Sequence, residues 1–416
     1  MFVILLMLFS IVLLFFAPSS SGISLIEGFI LIIYCIIIFS IFKKIITKKR
    51  IPKIILPLLF FLIIAFFSVF WSFFNGIHLI YWGRKFIPYF IFLISILSTY
   101  YYSDENKLNL IIKILFGFLL LFAINNMINL WIQNIAFSNL GMQKMRRFGG
   151  HYYSAIFVSF VFVYIISSFK KNPIYLKTSF LFMCLSLIIS FTRTFWISTF
   201  FSLIFSTIIL IYNQLLKKEL VLKYIVFLGL FLIISMLFFP QILNYTTERM
   251  LSISKFYTDI SFLDRAYELK GIINSSLKNP IYTILGHGLG TKFKFYSPSP
   301  FSRDKIGWVM TDYSHNYFGY MFYSTGFLGL ILYLLFWVEL LYINFKVLRF
   351  NIEKQDKILI IAFMSTYVNL FVSLNTAPQM VNVIWNIIFG IIVGINIKLI
   401  KAKCKLPPKT NDNIIQ

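Results

Sequence analysis

Acidic residues are scarce in this chain. Fourteen Asp and Glu stand against 38 Lys and Arg in 416 residues, and charged residues together make up 12%, where a soluble domain carries about 25%. That deficit excludes an ordinary soluble protein, although the length alone would allow two or three soluble domains. Cysteine is nearly absent. Cys35, Cys184 and Cys404 lie too far apart for a disulfide framework or a metal pattern. The four histidines, His78, His151, His287 and His315, are too scattered for a zinc motif, so no metal is expected. Gly286, Gly288 and Gly290 have no strand-turn-helix context around them and form no dinucleotide fingerprint. A net charge of +24 would suggest nucleic acid in a soluble chain. Here the basic residues sit in short clusters between apolar runs, which is the membrane-topology use of Lys and Arg, and no nucleic-acid partner is expected.

What remains is apolar. Hydrophobic residues make up 59% of the chain, with 51 Phe, and apolar runs near membrane-spanning length recur throughout. The expected fold is therefore an all-α polytopic membrane protein. About twelve spans are expected, at 1–17, 22–42, 52–74, 79–102, 109–133, 152–169, 174–191, 194–213, 221–239, 316–345, 357–376 and 380–400. The first run has no basic flank and is read as span 1, not as a cleaved leader. Lysines and arginines follow every second span: Lys43 to Lys53, Lys107 and Lys113, Lys170 to Lys177, Lys217 to Lys223, Lys346 to Lys357, and Lys398 to Lys409. With strict alternation these clusters share one side. The positive-inside rule makes that side the cytoplasm and puts both termini there. The chain thus reads as one integral membrane domain over 1–416, with a cytoplasmic tail at 401–416.

Two longer connections fall on the opposite side. One, 134–151, carries Lys144, Arg146, Arg147, Gly149, Gly150 and His151. The other, 240–315, lies between spans 9 and 10 and is long enough to form a folded subdomain. Within it a helix is expected over 260–277, where Phe262, Ala266, Leu269 and Ile273 recur at helical spacing behind Asp259 and Ser261 as possible caps. Pro298 and Pro300 mark an irregular stretch before His315.

Charges near the membrane core need a reason. For Glu27, Lys85 and Glu339 the plain reading is snorkelling or an internal partner. Arg193, Arg265, Arg146 and Arg147 all fall on the loop side, and several guanidinium groups on one face suit a phosphate or pyrophosphate, which they grip bidentately. His315 stands just before span 10 with Asn316 beside it. An imidazole there can take a proton from an attacking hydroxyl. Asp312, three residues upstream, is the candidate to orient His315 or to serve as the base itself. The glycine run suits a tight turn close to a ligand or to the helix bundle, with His287 as a further ligand contact. Tyr296, Tyr313 and Tyr317 are candidates to stack on sugars.

Three motifs occur in order: Phe191-Thr192-Arg193-Thr194-Phe195-Trp196; Arg265 followed by Pro280 and Gly286-His287-Gly288-Leu289-Gly290; and His315-Asn316-Tyr317-Phe318 leading to Gly326-Phe327-Leu328-Gly329. The series resembles the integral-membrane O-antigen ligase and O-antigen polymerase family over roughly Ser190 to Phe336. Thr192 stands where that family commonly has Ser, and the Trp is displaced by one position. The resemblance implies a GT-C-like membrane fold, located in the bacterial inner membrane, that takes a glycan from a polyprenyl-diphosphate carrier on the periplasmic face. It implies that Arg193 and Arg265, with Arg147 as a third candidate, bind the donor diphosphate and that His315 is the base. Asn316, Tyr313, Tyr317 and His287 then become substrate contacts. No metal, nucleotide sugar or other cofactor is implied. The acceptor is a carrier-linked repeat unit for a polymerase, the preferred reading, or lipid A–core for a ligase. Membrane lipids and a chain-length regulator complete the expected partners. A transporter of lipid-linked glycans also fits twelve spans, but it does not need a loop of this length or candidate ligands gathered on one face.

Overall fold

Apolar runs in a low-dielectric medium must satisfy their backbone groups internally, and helices do this segment by segment. The computed structural model describes residues 2–16, 25–48, 51–103, 105–136, 157–166, 180–184, 186–187, 193–216, 260–298, 307–375 and 379–404. Its helices are α1 (Phe2–Phe16), α2 (Leu25–Lys48), α3 (Leu56–Phe74), α4 (Leu79–Tyr102), α5 (Glu105–Ala136), α6 (Val158–Ile166), α7 (Arg193–Tyr212), α8 (Ile260–Ser276), α9 (Pro280–Leu285), α10 (Tyr317–Leu348), α11 (Lys354–Leu374) and α12 (Val383–Cys404). Residues 180–184 and 186–187 are helical as well. Six helical segments among the described residues are long and apolar enough to cross a membrane: Lys53–Phe74, Leu79–Tyr102, Arg193–Tyr212, Tyr317–Leu348, Lys354–Leu374 and Val383–Cys404. They coincide with six of the twelve expected spans. The expected span at 221–239 and the loop from 240 to 259 lie outside the described residues, as do the expected caps at Asp259 and, for its side chain, Ser261.

One departure from the all-helical expectation is a hairpin, the only sheet among the described residues. Strand β1 (Phe293–Ser297) pairs antiparallel with β2 (Gly307–Thr311), with Phe293 opposite Thr311 and Tyr296 opposite Trp308. The stretch before His315 that the prolines mark as irregular is therefore partly strand, and Pro298 stands just past the end of β1. Alternation is clean in β1: Phe293, Phe295 and Ser297 are buried, while Lys294 and Tyr296 are exposed.

The chain divides into two compact units. One comprises Met1–Leu108, Leu263–Val347 and Leu374–Gln416, and the other comprises Asn109–Phe262 and Leu348–Ser373. In the first, α12 is buried along most of its length and lies against α4. Gly390 and Gly394, one helical turn apart, make that approach possible. A Cβ at Gly390 would sit on Ser95 and 2.9 Å from the Phe92 carbonyl oxygen, and one at Gly394 would sit 2.6 Å from the Thr99 Cβ. Small residues facing small residues let membrane helices approach closely enough for van der Waals packing to hold them. Asn344 of α10 and Asn396 of α12, both fully buried, exchange two amide hydrogen bonds of 3.0 and 2.9 Å, each worth about 0.6–2 kcal/mol in such a setting.

The two ends of α4 differ in chemistry. At its C-terminal end Lys44 lies over the Tyr102 ring, Lys401 and Lys398 lie over Tyr100, and Lys401 donates to the Tyr100 hydroxyl. The basic C-terminal ends of α2 and α12 therefore meet that of α4. The other end of α4, about 28 Å away at 1.5 Å per residue from Tyr81 to Tyr100, holds the loop described below.

In the second unit, hydroxyls and amides link the helices. Asn369 of α11 donates to Thr199 Oγ1 of α7 at 3.1 Å and to Ser159 Oγ of α6 at 3.4 Å. The Ser202 and Ser365 hydroxyls meet at 2.8 Å. Phe160 packs against Phe116 and Phe363, each at 5.3 Å.

The glycine packing generates a prediction. Gly390→Leu should lower thermal stability in detergent by about 1–3 kcal/mol through overpacking. Gly83→Ala, with nothing within 4 Å of its added Cβ, should leave stability unchanged or slightly higher. Equal melting temperatures for Gly390→Leu and the wild type would rule out this role for the small-residue seam.

Candidate active site

The helix expected over 260–277 is present as α8, but its buried stripe is not the one its apolar spacing suggests, and of that expected stripe Leu269 is half-buried. Phe262, Ala266 and Ile273 are exposed, whereas Asp264, Glu268, Ile272 and Ser276 are buried. Two carboxylates can occupy a buried stripe because each finds a donor there. Ser297, at the end of β1, donates to Asp264 Oδ1 at 2.6 Å. Gly271 lets the hairpin lie close, since a Cβ there would meet the Lys294 carbonyl oxygen at 2.7 Å. Ile272, Phe293, Phe295 and Tyr323 complete a small apolar core between α8, the hairpin and α10.

Glu268 is the centre of the arrangement. Its Oε1 lies 3.0 Å from His315 Nδ1, its Oε2 accepts the His315 backbone N–H at 2.9 Å, and the Ser314 hydroxyl donates to Oε2 at 3.4 Å. Glu268 is 4% exposed, so it is held from three directions with little access to water. The His315 side chain is 37% exposed, and with Nδ1 on the carboxylate, Nε2 is the nitrogen left to face a reactant. Arg265 stands one turn from Glu268 on α8, where residues three apart are surface neighbours. Both charges act on Tyr313. Burial, reinforced by Glu268 and opposed by Arg265, pushes its phenol up to about 12. Tyr313 is thus only partly covered, keeping 40% of its surface exposed, and it meets the His315 ring edge to face at 5.3 Å. Arg265, Glu268, Tyr313 and His315 thus form one cluster.

Asp312 has other partners. Lys85 of α4 approaches its Oδ2 to 2.6 Å, and the Tyr81 hydroxyl donates to the same oxygen. Burial alone would raise this carboxyl, but the ammonium and the hydroxyl outweigh it and hold it below the ordinary carboxylate range. The carboxylate bonded to His315 is therefore Glu268, whereas Asp312, the candidate to orient His315 or to serve as the base itself, is bonded to Lys85 and Tyr81. Asp312 ties the segment carrying His315 to α4, and it is also the internal partner expected for Lys85.

The glycine run forms a turn against the helix bundle. Gly286, Gly288 and Gly290 have φ of 80°, 95° and 84°, values that suit residues without a Cβ. At Gly288 a Cβ would also lie 2.5 Å from the Ser72 backbone nitrogen. The turn is seated on a break in α10 at Gly326, with φ 71° and ψ −176°. The break frees the Tyr323 and Ser324 carbonyls from their helical partners. They accept instead from His287 N at 2.8 Å and Gly288 N at 3.0 Å. On the α3 side, Ser72 donates to the Leu289 carbonyl at 2.9 Å and the Asn75 amide donates to the His287 carbonyl at 3.0 Å. The His287 ring is stacked between Tyr282 at 4.2 Å and Tyr323 at 4.3 Å. Burial lowers its basicity, against an opposing hydrogen bond to the Ser275 backbone. That is the environment of a packed structural imidazole.

The remaining expected residues divide by location. Asn316 caps α10, its side-chain oxygen accepting from Gly319 N at 2.7 Å. Tyr317 is fully buried among Tyr89 and Tyr333, so it cannot stack on a sugar as expected. Tyr296 is exposed on the outer face of β1. Arg193 opens α7 in the second unit, where the Trp196 indole N–H donates to the Leu187 carbonyl at 2.9 Å. Arg146, Arg147 and His151 lie outside the described residues. The sequence reading missed Glu268, Lys85 as the partner of Asp312, and Trp308. For Glu268 a signal existed: two carboxylates, Asp264 and Glu268, four apart on a loop helix in a chain with fourteen acids in all.

A carboxylate-held histidine beside an arginine, on a folded loop between helices of membrane length, has the parts of a membrane-embedded group-transfer site. Residues 178–334 match the model of the family described as O-Antigen ligase. The match supports the resemblance to the O-antigen ligase and polymerase family and a glycosyltransferase-like function of ligase or polymerase type. It spans Arg193, Arg265, Glu268, Asp312 and His315, while Lys85 and Tyr81 lie outside it. No curated protein matches the chain.

The lysine clamp makes a pH prediction. Because the folded carboxyl of Asp312 lies below its unfolded value, its contribution to stability is complete above the ordinary carboxylate range and is lost as pH falls through the folded value. Lys85→Met should cost about 1–3 kcal/mol near neutrality, between an exposed and a buried pair. It should also start acid unfolding at a higher pH, with Lys85→Arg closer to wild type. Superimposable acid-unfolding curves for Lys85→Met and the wild type would exclude the clamp.

Proposed function

We propose that this protein is an inverting membrane glycosyltransferase of the polysaccharide polymerase type. It moves a glycan from a polyprenyl-diphosphate carrier to a hydroxyl of a carrier-linked repeat unit. The observation that carries this reading is the His315–Glu268 pair. A carboxylate on Nδ1 fixes the imidazole tautomer and stabilises the imidazolium, leaving Nε2 to accept a proton. In the reaction, His315 Nε2 takes the proton of the acceptor hydroxyl as that oxygen bonds to the anomeric carbon from the side opposite the diphosphate. The carbon–oxygen bond to the diphosphate breaks, and the leaving group departs with the electron pair. Arg265, one turn from Glu268, stabilises the charge growing on it, a contribution made in the transition state. Arg193 is assigned to the same donor chemistry on the family resemblance, as is Arg147. Glu268 acts as a positioning residue through His315. No step in this scheme calls on a metal.

The twelve-span topology, with both termini in the cytoplasm of an inner-membrane protein and the loop periplasmic, belongs to this proposal. It is supported by the gathering of Lys44, Lys398 and Lys401 at the end of α4 away from Asp312 and His315. The lysine-rich end then faces the cytoplasm, as the positive-inside rule requires.

A ligase reading, in which the acceptor is lipid A–core, is favoured by the description of the matched family. Both readings use the same donor chemistry and the same base. The surface glycan profile separates them. Loss of a polymerase leaves lipopolysaccharide bearing single repeats, whereas loss of a ligase leaves bare core with polymer retained on the carrier.

His315→Ala and Glu268→Gln should each reduce transfer from a defined carrier-linked repeat by on the order of 10²–10⁴-fold while protein levels in the membrane stay normal. Arg193→Lys and Arg265→Lys should also cause large losses, because an ammonium lacks the planar fork that matches diphosphate oxygens. Wild-type glycan profiles in these variants would refute the assigned roles.

A further inference from the structure

The outward face of the hairpin takes no part in the chemistry above. Tyr267, Tyr296 and Trp308 form a continuous aromatic row, with ring centroids 5.9 Å apart for the first pair and 6.0 Å for the second. All three are exposed, at 37%, 39% and 69%. Lys294 sits over the Trp308 ring at 5.0 Å, and Met310 extends the face at 60% exposure. Two exposed rings on a five-residue strand pair and a third beside them on α8 incur a hydration cost that a purely structural face would avoid.

Resting on the glycosyltransferase reading, we infer that this row is a subsite for the acceptor glycan, set apart from the reacting hydroxyl. Three observations favour a carbohydrate occupant. First, the row itself is made of rings, with Met310 and Lys294 at its edge. A ring face is electron-rich, and the axial C–H bonds of a pyranose present a complementary apolar, weakly positive patch. Phenol and indole groups at the ring edges remain free to hydrogen-bond sugar hydroxyls. Second, the row is continuous with the proposed active site on two elements. Tyr267 precedes Glu268 directly on α8, and β2, which carries Trp308, ends at Thr311, one residue before Asp312 and four before His315. Third, the platform is fixed relative to His315. Gly271 seats the hairpin on α8, Ser297 bonds to Asp264, and Lys85 anchors Asp312. A rigid row that begins at the residue next to Glu268 can hold the sugars behind the attacking one, so that binding energy far from the reacting bond positions the hydroxyl.

The test uses full-length protein in nanodiscs and a lipid-free tetrasaccharide released from the host cell's own polysaccharide. Binding is read by saturation-transfer NMR and transfer by the carrier-linked assay. Trp308→Ala with Tyr296→Ala should weaken tetrasaccharide binding about tenfold, from roughly two- to tenfold per ring lost, and should raise the acceptor KM correspondingly. The donor KM should stay the same and kcat within about twofold. Trp308→Phe should retain most of the binding, and His315→Ala, dead in transfer, should bind the tetrasaccharide as the wild type does. Unchanged binding and acceptor KM in the double variant would overturn the subsite while leaving the transferase reading in place. Loss of binding in the double variant of a protein that shows no transfer would keep the subsite and overturn the transferase reading. Quenching of Trp308 by brominated lipid, with tetrasaccharide binding intact in the double variant, would identify the face as a membrane contact and reject the proposal.

Discussion

Everything around His315 depends on a broken helix. At Gly326 the backbone of α10 leaves helical geometry, and the Tyr323 and Ser324 carbonyls lose their helical donors. In a low-dielectric setting such groups must find partners, and the N–H groups of His287 and Gly288 supply them. The exchange seats the glycine turn between α10 and α3. Gly286 and Gly326 are needed because the two backbones touch, Gly288 because it lies against Ser72 and Ser68 of α3, and Gly329 because it lies against the Thr325 side chain. From that seat the chain leads back to α8 and forward to the hairpin, so the break fixes the elements that bring Glu268 to His315.

The few acids of the chain are placed with care. Asp264, Glu268 and Asp312 each meet a donor within the first unit: the Ser297 hydroxyl, the His315 backbone and ring, and the Lys85 ammonium. Each joins segments far apart in sequence. Asp264 closes the hairpin onto α8, Asp312 closes the loop onto α4, and Glu268 holds the histidine. An unpaired carboxylate in these positions would be costly. The tethers thus restrict the ways in which the loop can fold, and they serve function through geometry more than through net stability.

Much of this was legible beforehand, for reasons of scale. Spans of about twenty apolar residues are visible without tertiary information because hydrophobic length is a local property, and the helix over 260–277 was visible from its spacing. Its orientation was not. Spacing identifies an apolar stripe, but in this loop the buried stripe is the one whose carboxylates have partners, and those partners lie 33 and 47 residues away. The same limit explains Asp312, which is nearer to His315 in sequence yet is bonded to Lys85. It also explains Tyr317, whose aromatic character suits a sugar platform but whose place on α10 points it into the core. The hairpin was hidden because its strands are five residues each, too short for alternation to stand out beside prolines.

The sequence by itself determined that the chain is built of membrane-length helices, that a polar loop carries its candidate chemistry, and that His315 and Arg265 are candidates for that chemistry. Hydrophobic length, charge spacing and motif order are one-dimensional signals, and they survive without a fold. Only the tertiary structure decided which carboxylate holds the histidine, which face of α8 is buried, and that Tyr296 and Trp308 share a surface with Tyr267. Those are facts about distance between residues remote in sequence. A hydrogen bond of 3 Å is set by how helices, breaks and turns bring two atoms together, and no local pattern encodes it.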